Sequence, residues 1–285
     1  MTETEVKQEV RQFYDRIGWQ KVADGVYQNA RYEDLRPVSA EYIHRCHLRV
    51  TPFFKEGGRF LLDAGSGPVQ YPEYLTYSEP FRYRVCLDIS YVALTEARQR
   101  LGEHGLYVVA DAATLPFADG CFEGLVSLHT LHHLPPEEQQ KAYHEFYRVL
   151  ASGKNAVVVN GWTVSSLMRF FQPLVFFVER IGLWLARRRG VQIAESKAAQ
   201  SATGAEPTGT FIRKLDADWL RKILGSDMTF EIRVWRSVSV RFLRAIIHRP
   251  LGGKLWLRFL FWLEELFPHF LGEKGQYPLI VIRKS

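Results

Sequence analysis

The chain has 285 residues, 47% hydrophobic and 24% charged, so it can bury a full core; this excludes disordered, collagen-like and coiled-coil classes. Its three cysteines, Cys46, Cys86 and Cys121, are odd in number and at no metal-ligand spacing. That excludes a disulfide scaffold, gives no metal site and points to a reducing, cytoplasmic setting. The net charge of +6 is uneven: residues 1–160 carry 17 basic and 21 acidic side chains, residues 161–285 carry 20 and 10.

The acidic, polar start, MTETEVKQEV, does not read as a secretory signal. Val6, Val10, Phe13 and Ile17 form a helical stripe that ends at Gly18. Turn formers and the tyrosines Tyr27 and Tyr32 follow, then a second helix over 40–54. An alternation begins at RFLLD (59–63), a short apolar strand. Further strands are expected over 83–88, 106–110, 123–128 and 155–161. Helices are expected around Tyr74 and over 93–101 and 136–150. Strands alternating with helices predict a parallel sheet covered on both faces.

After Gly161 the pattern changes. Residues 164–187 are mostly apolar with a narrow polar face, and Pro173 should kink or split that helix. Residues 188–210 read as a flexible polar loop. Asp216 is a candidate N-cap for a short helix that ends at Gly225. Strands are expected over 229–240 and 278–283, separated by the aromatic-rich stretch 255–270.

The strongest chemical signal is LLDAGSGPVQ, residues 61–70: a carboxylate at a strand end, then Gly65-Ser66-Gly67. Glycines there allow a tight turn and close approach to a ligand. Asp88 ends the next strand 21 residues after Gly67, the spacing at which a carboxylate accepts bonds from ribose hydroxyls. Asp111 closes the third strand. Gln70 stands where a dinucleotide-binding G-x-G-x-x-G needs glycine, and no Gly-Lys-Ser/Thr follows, so nicotinamide and P-loop readings are disfavoured.

These segments resemble the class I S-adenosylmethionine-dependent methyltransferases, and more narrowly the group containing the ubiquinone/menaquinone biosynthesis methyltransferases. The likeness covers about residues 55–161: LLDAGSG, CLDIS, ADAATLPFADGCFE and LVSLHTLHHLPPEEQQKAYHEFYRVL. It implies a Rossmann-like, doubly wound α/β sheet of seven strands, the last antiparallel. It implies S-adenosylmethionine as cofactor, with Asp63, Gly65, Ser66 and Gly67 at its methionine end and Asp88 on the ribose. It implies Ile89 beside the adenine, with Asp111 and Ala112 at the adenine amino edge. His129, just past the fourth strand, falls near the transferred methyl as a candidate base; His133 follows as a second. Tyr14 lies in an N-terminal region that folds over the cofactor in similar enzymes. Val69 replaces the family's third glycine, so the loop should differ locally.

The expected organisation is an N-terminal helical cap (1–54), the cofactor-binding core (55–161), an apolar, basic insert and loop (162–210), and the end of the core (211–285) with an apolar insert (241–276). Strands five and six would end on the cofactor side, so both inserts should form a cap over the site. Neither is a good membrane span. Aromatic helices with Arg187, Arg188 and Arg189 suggest instead a hydrophobic or lipid-like substrate and peripheral contact with the inner membrane face. The alternative is a soluble aromatic or polyketide-like metabolite. A nucleic-acid methyltransferase or a non-catalytic cofactor-binding protein is the weaker reading. The aromatics cluster in apolar helices rather than along a basic groove, so nucleic acid is not the expected partner.

Overall fold

The computed structural model describes residues 3–19, 21–23, 26–27, 33–188, 211–225 and 227–285. Its centre is a sheet of β1 (Gly58–Ala64), β2 (Phe81–Asp88), β3 (Gly105–Val109), β4 (Gly124–Leu128), β5 (Asn155–Val159), β6 (Thr229–Arg236) and β7 (Tyr277–Arg283). The order across the sheet is β3-β2-β1-β4-β5-β7-β6. β7 runs antiparallel to both neighbours, and the pairs among β1–β5 are parallel, as the resemblance implies.

Side chains alternate across each strand, so neighbouring residues feed opposite layers. Leu62, Leu125 and Val158 pack under α4 (Pro136–Val149) and α6 (Ala217–Leu224), while Leu61, Val126 and Val157 pack under α3 (Tyr91–Leu101) and the turn at Tyr74. Asp216 caps α6 by accepting from the Trp219 N–H at 2.8 Å, and Gly225 ends it, as the sequence suggests. A third cluster joins α2 (Ala40–His47), α7 (Val240–Ile246) and α8 (Gly253–Leu266) through Ile43, Leu243 and Leu257.

The N-terminal stripe forms as expected. Val6, Val10, Phe13 and Ile17 are buried along α1 (Glu3–Phe13) and the π-helical turn Tyr14–Gly18 that continues it. The second helix is shorter than expected: Pro52 leaves residues 48–54 as a tighter 3₁₀ run after His47.

Three expectations are corrected. Pro173 neither ends nor divides α5, which runs unbroken over Ser166–Arg188; Arg169 and Pro173 are exposed, so the carbonyl deprived of its bond can meet water. The strand from Thr229 stops at Arg236, because the Ser239 hydroxyl accepts from the Phe242 N–H at 3.1 Å and caps α7. Of the two apolar inserts, the described residues of the first (162–188) do not line the site, whereas the second reaches it through Arg241 and Arg244 of α7. α5 packs on α7, with Phe171 against Phe242 and Glu179 paired to Arg241, while α8 packs against α2. Tyr32, Arg189 and the expected loop after Arg188 lie outside the described residues.

Candidate functional site

A cavity of about 500 Å³ opens at the C-terminal edge of β1, β2 and β4, within the size range of small-molecule sites. Its floor is the turn after β1. Gly65 (φ +74°) and Gly67 (φ +53°) take left-handed backbone. A Cβ on Gly65 would fall 2.2 Å from the Thr130 side chain, and one on Gly67 2.9 Å from Trp19. Glycine is therefore required here by space as well as by torsion. Val69 keeps the left-handed backbone too (φ +53°), with its side chain fully buried.

The three strand-end acids all line the cavity, but their situations differ. Asp88 accepts from the Gly67 N–H (2.9 Å) and the Ser90 N–H (2.8 Å). Burial raises its carboxyl to about 6, against the pull of those two N–H groups. Asp63 is committed to Arg84, whose Nε (3.0 Å) and Nη2 (2.5 Å) both donate to Oδ2. Asp111 accepts from the Ala113 N–H (2.9 Å) and pairs with Lys7 (2.5 Å). Ile89 and Ala112 line the wall between these acids, and Ser66 turns its hydroxyl to the Gly67 carbonyl (3.1 Å).

The N-terminal segment closes over this floor at three points. Lys7 pairs with Asp111 and Glu138, Asp15 accepts from the Ser90 hydroxyl at 2.6 Å, and Tyr14 meets His133. His133 Nδ1 faces the Phe211 carbonyl at 2.8 Å, so that nitrogen carries the proton. Nε2 then accepts from the Tyr14 hydroxyl at 2.7 Å. Tyr14 also stacks on Trp19, with ring centroids 5.1 Å apart.

His129 takes a left-handed turn (φ +56°) directly after β4, its N–H bonded to the Val159 carbonyl at 2.7 Å. Its ring meets Trp235 and Tyr277 edge-to-face. Burial, then Arg236, lowers its basicity to about 3; burial, helped by the Lys214 charge, brings His133 to about 4 despite its bond to Phe211. Both imidazoles are neutral near pH 7, and neither is a strong base. The cavity is also lined by Lys214, Arg236, Arg241 and Arg244.

Residues 62–158 match the family described as "Methyltransferase domain". This segment is a class I methyltransferase domain, and the cofactor of that class is S-adenosylmethionine. A tRNA (carboxymethyluridine(34)-5-O)-methyltransferase of Arabidopsis thaliana is 26% identical over 159 residues, covering 48% of this chain and 37% of that protein. The match thus spans little more than a third of that relative. Among solved structures, geranyl diphosphate C-methyltransferase from Streptomyces coelicolor A3(2) aligns with a TM-score of 0.54 at 13% identity, over 98% of both chains. The [4+2]-cyclase SpnF aligns at 0.52 and 18% identity, over 98% of this chain and 97% of that one. These likenesses establish the fold.

Around the methyltransferase domain, the cavity gathers residues that sequence reasoning did not single out. Trp19 and Thr130 press on the two glycines. Arg236, nearly fully buried, pairs with Glu33 across 203 positions. Lys214 sits on a segment fastened to the histidine turn. A buried arginine at the end of a strand was the one legible signal among them, since such a charge needs a partner.

Proposed function

We propose that this chain transfers the methyl group of S-adenosylmethionine to a hydrophobic, lipid-like small molecule. The supporting observation is the cavity itself. Its lining combines the glycine turn and Asp88 with Tyr14, Trp19, Leu134, Ile212, Val240 and Tyr277. In this reading Asp88 holds the ribose, Ile89 flanks the adenine, and Asp111 and Ala112 border its amino edge. Gly65, Ser66 and Gly67 surround the methionine end, with Asp63 beneath them, fixed by Arg84. The cofactor supplies an already activated methyl on a sulfonium. The protein's part is alignment and exclusion of water, for which the closure by α1 and Tyr14 is suited. A scan of labelled methyl transfer over lipid extract, soluble aromatic metabolites and tRNA tests the reading. Incorporation confined to tRNA would replace it with the reading suggested by the Arabidopsis relative.

His129 serves in this reading as a neutral positioning group near the transferred methyl. His129→Ala should lower kcat by about tenfold or more while cofactor affinity stays within about twofold. With its basicity lowered to about 3, its ring contributes no ionisation to the pH–rate profile between pH 5 and 8. A parental kcat in the variant would make His129 purely structural.

The second half of the proposal is peripheral membrane contact at the inner face. No helix among the described residues is long and apolar enough to cross a membrane. Yet α5 exposes Phe170 (77%), Phe177 (61%) and Trp184 (50%), and α8 exposes Trp256 (62%) and Trp262 (55%). Arg187 and Arg188 end α5, and its one acid, Glu179, is paired with Arg241. Apolar side chains beside basic ones suit an anionic interface, with about 1 kcal/mol per basic residue near the surface. Liposome flotation should require anionic lipid and should weaken at 1 M salt, where the Debye length is about 3 Å. Absence of flotation with every lipid mixture would leave the soluble-metabolite reading.

A further inference from the structure

We infer that the substrate carries an anionic group, a carboxylate or a phosphate, which Lys214 receives in the cavity beside the histidine turn that follows β4. The inference rests on the methyltransferase reading above and specifies its substrate. The cavity is lined by four acids and four cations, and three of the cations have partners among the described residues. Arg236 pairs with Glu33, Arg241 with Glu179, and Arg244 donates to the Glu33 carbonyl at 2.9 Å. Among the acids, Asp63 is held by Arg84, Asp111 by Lys7, and Asp88 by two backbone N–H groups. Lys214 stands apart: no carboxylate among the described residues pairs with its ammonium.

The backbone that carries the lysine is held in place. The Arg213 N–H donates to the His132 carbonyl at 2.6 Å, and Gln139 Nε2 to the Arg213 carbonyl at 2.7 Å. The Thr163 hydroxyl donates to the Lys214 carbonyl itself. Gly161, at the end of β5, leaves room for the side chain: a Cβ there would lie 3.1 Å from Lys214 Nζ. Burial lowers the lysine's basicity, and His129, His132 and His133 nearby are neutral. A half-buried ammonium facing a ligand cavity without a counter-charge is stabilised by an anion that the ligand brings. The apolar wall beside it fits the body of an amphiphilic acid.

Calorimetry on protein loaded with S-adenosylhomocysteine tests this, using decanoate, decyl phosphate and decanol as probes. The parent should bind at least one of the two acids about tenfold or more tightly than decanol. Comparing the two acids separates carboxylate from phosphate. Lys214→Met should reduce the preference to below about threefold, and Lys214→Arg should retain most of it. S-adenosylhomocysteine affinity should stay within about twofold in both variants, which also reports that they fold. Three results would overturn the inference: no preference for either acid in the parent, an undiminished preference in Lys214→Met, or loss of S-adenosylhomocysteine affinity in Lys214→Met. The last would assign the lysine to the cofactor's own carboxylate. Failure of the parent to bind S-adenosylhomocysteine would instead overturn the methyltransferase reading on which the inference rests.

Discussion

Replacing Asp88 with alanine should weaken cofactor affinity at least about tenfold, and by up to about ten-thousandfold. Two charge-assisted hydrogen bonds from ribose hydroxyls are lost, each contributing about 1.5–3 kcal/mol. The Gly67 and Ser90 N–H groups, which the carboxylate also holds, lose their acceptor. Asp88→Asn keeps the shape but not the charge, and should fall between parent and alanine. The same residue predicts a pH dependence. Its carboxyl is raised to about 6 by burial, so the ionised form that accepts from the ribose is lost as pH falls through that value. If only the ionised form binds, affinity for S-adenosylhomocysteine at pH 5 is about tenfold weaker than at pH 7 and above. Calorimetry across that range checks the point. A flat profile, or an unchanged affinity in Asp88→Ala, would remove Asp88 from the ribose.

The second large effect is on stability. Arg84→Met should destabilise the fold by about 3–5 kcal/mol, because it strands a buried carboxylate. Arg84 and Asp63 are both nearly fully buried, on adjacent strands, and Arg84 also donates to the Tyr74 carbonyl. The deficit should shrink as pH falls. Burial already pushes the Asp63 carboxyl up, against the pull of Arg84. Without Arg84 the folded state binds a proton on Asp63 more readily than the unfolded state, whose carboxyl sits near the ordinary value of about 3.9. Protonation therefore favours the folded variant, and the gap to the parent closes as pH drops from about 7 toward that value. Denaturant unfolding at several pH values measures this. A loss below about 1 kcal/mol would mean that Asp63 is neutral or solvated already.

Much of the sheet is legible in the sequence because its signals are local. RFLLD and YRVCLD are short apolar runs closed by acids, and the turn residues between them leave little freedom of register. The end of β6 is less legible, because Val234 to Val240 alternates like a strand while only Ser239 announces the next helix. The role of the inserts depends on tertiary partners. α5 and α8 are aromatic enough to cover a cavity, yet the cavity takes Val240, Arg241 and Arg244 from α7 and its start. No spacing rule marks Glu33 as the partner of Arg236, or Lys214 as unmatched, since both facts depend on segments brought together only by folding. Asp63, which the resemblance places at the methionine end, does line the cavity, and its bond to Arg84 becomes visible only when the register Leu61–Arg84 is known.

The valine at position 69 has a thermodynamic consequence for the ligand. Left-handed backbone at a β-branched residue costs on the order of 1–3 kcal/mol. Its isopropyl group is sunk in the core, and Arg100 Nη1 holds the Val69 and Gln70 carbonyls at 2.9 and 2.8 Å. A glycine there would relax the torsion but leave the loop freer, and each residue ordered on binding loses about 1–2 kcal/mol of conformational entropy. In this chain that loss is met during folding. The incoming ligand therefore docks on a turn whose shape is already fixed, and that entropic cost is absent from its binding.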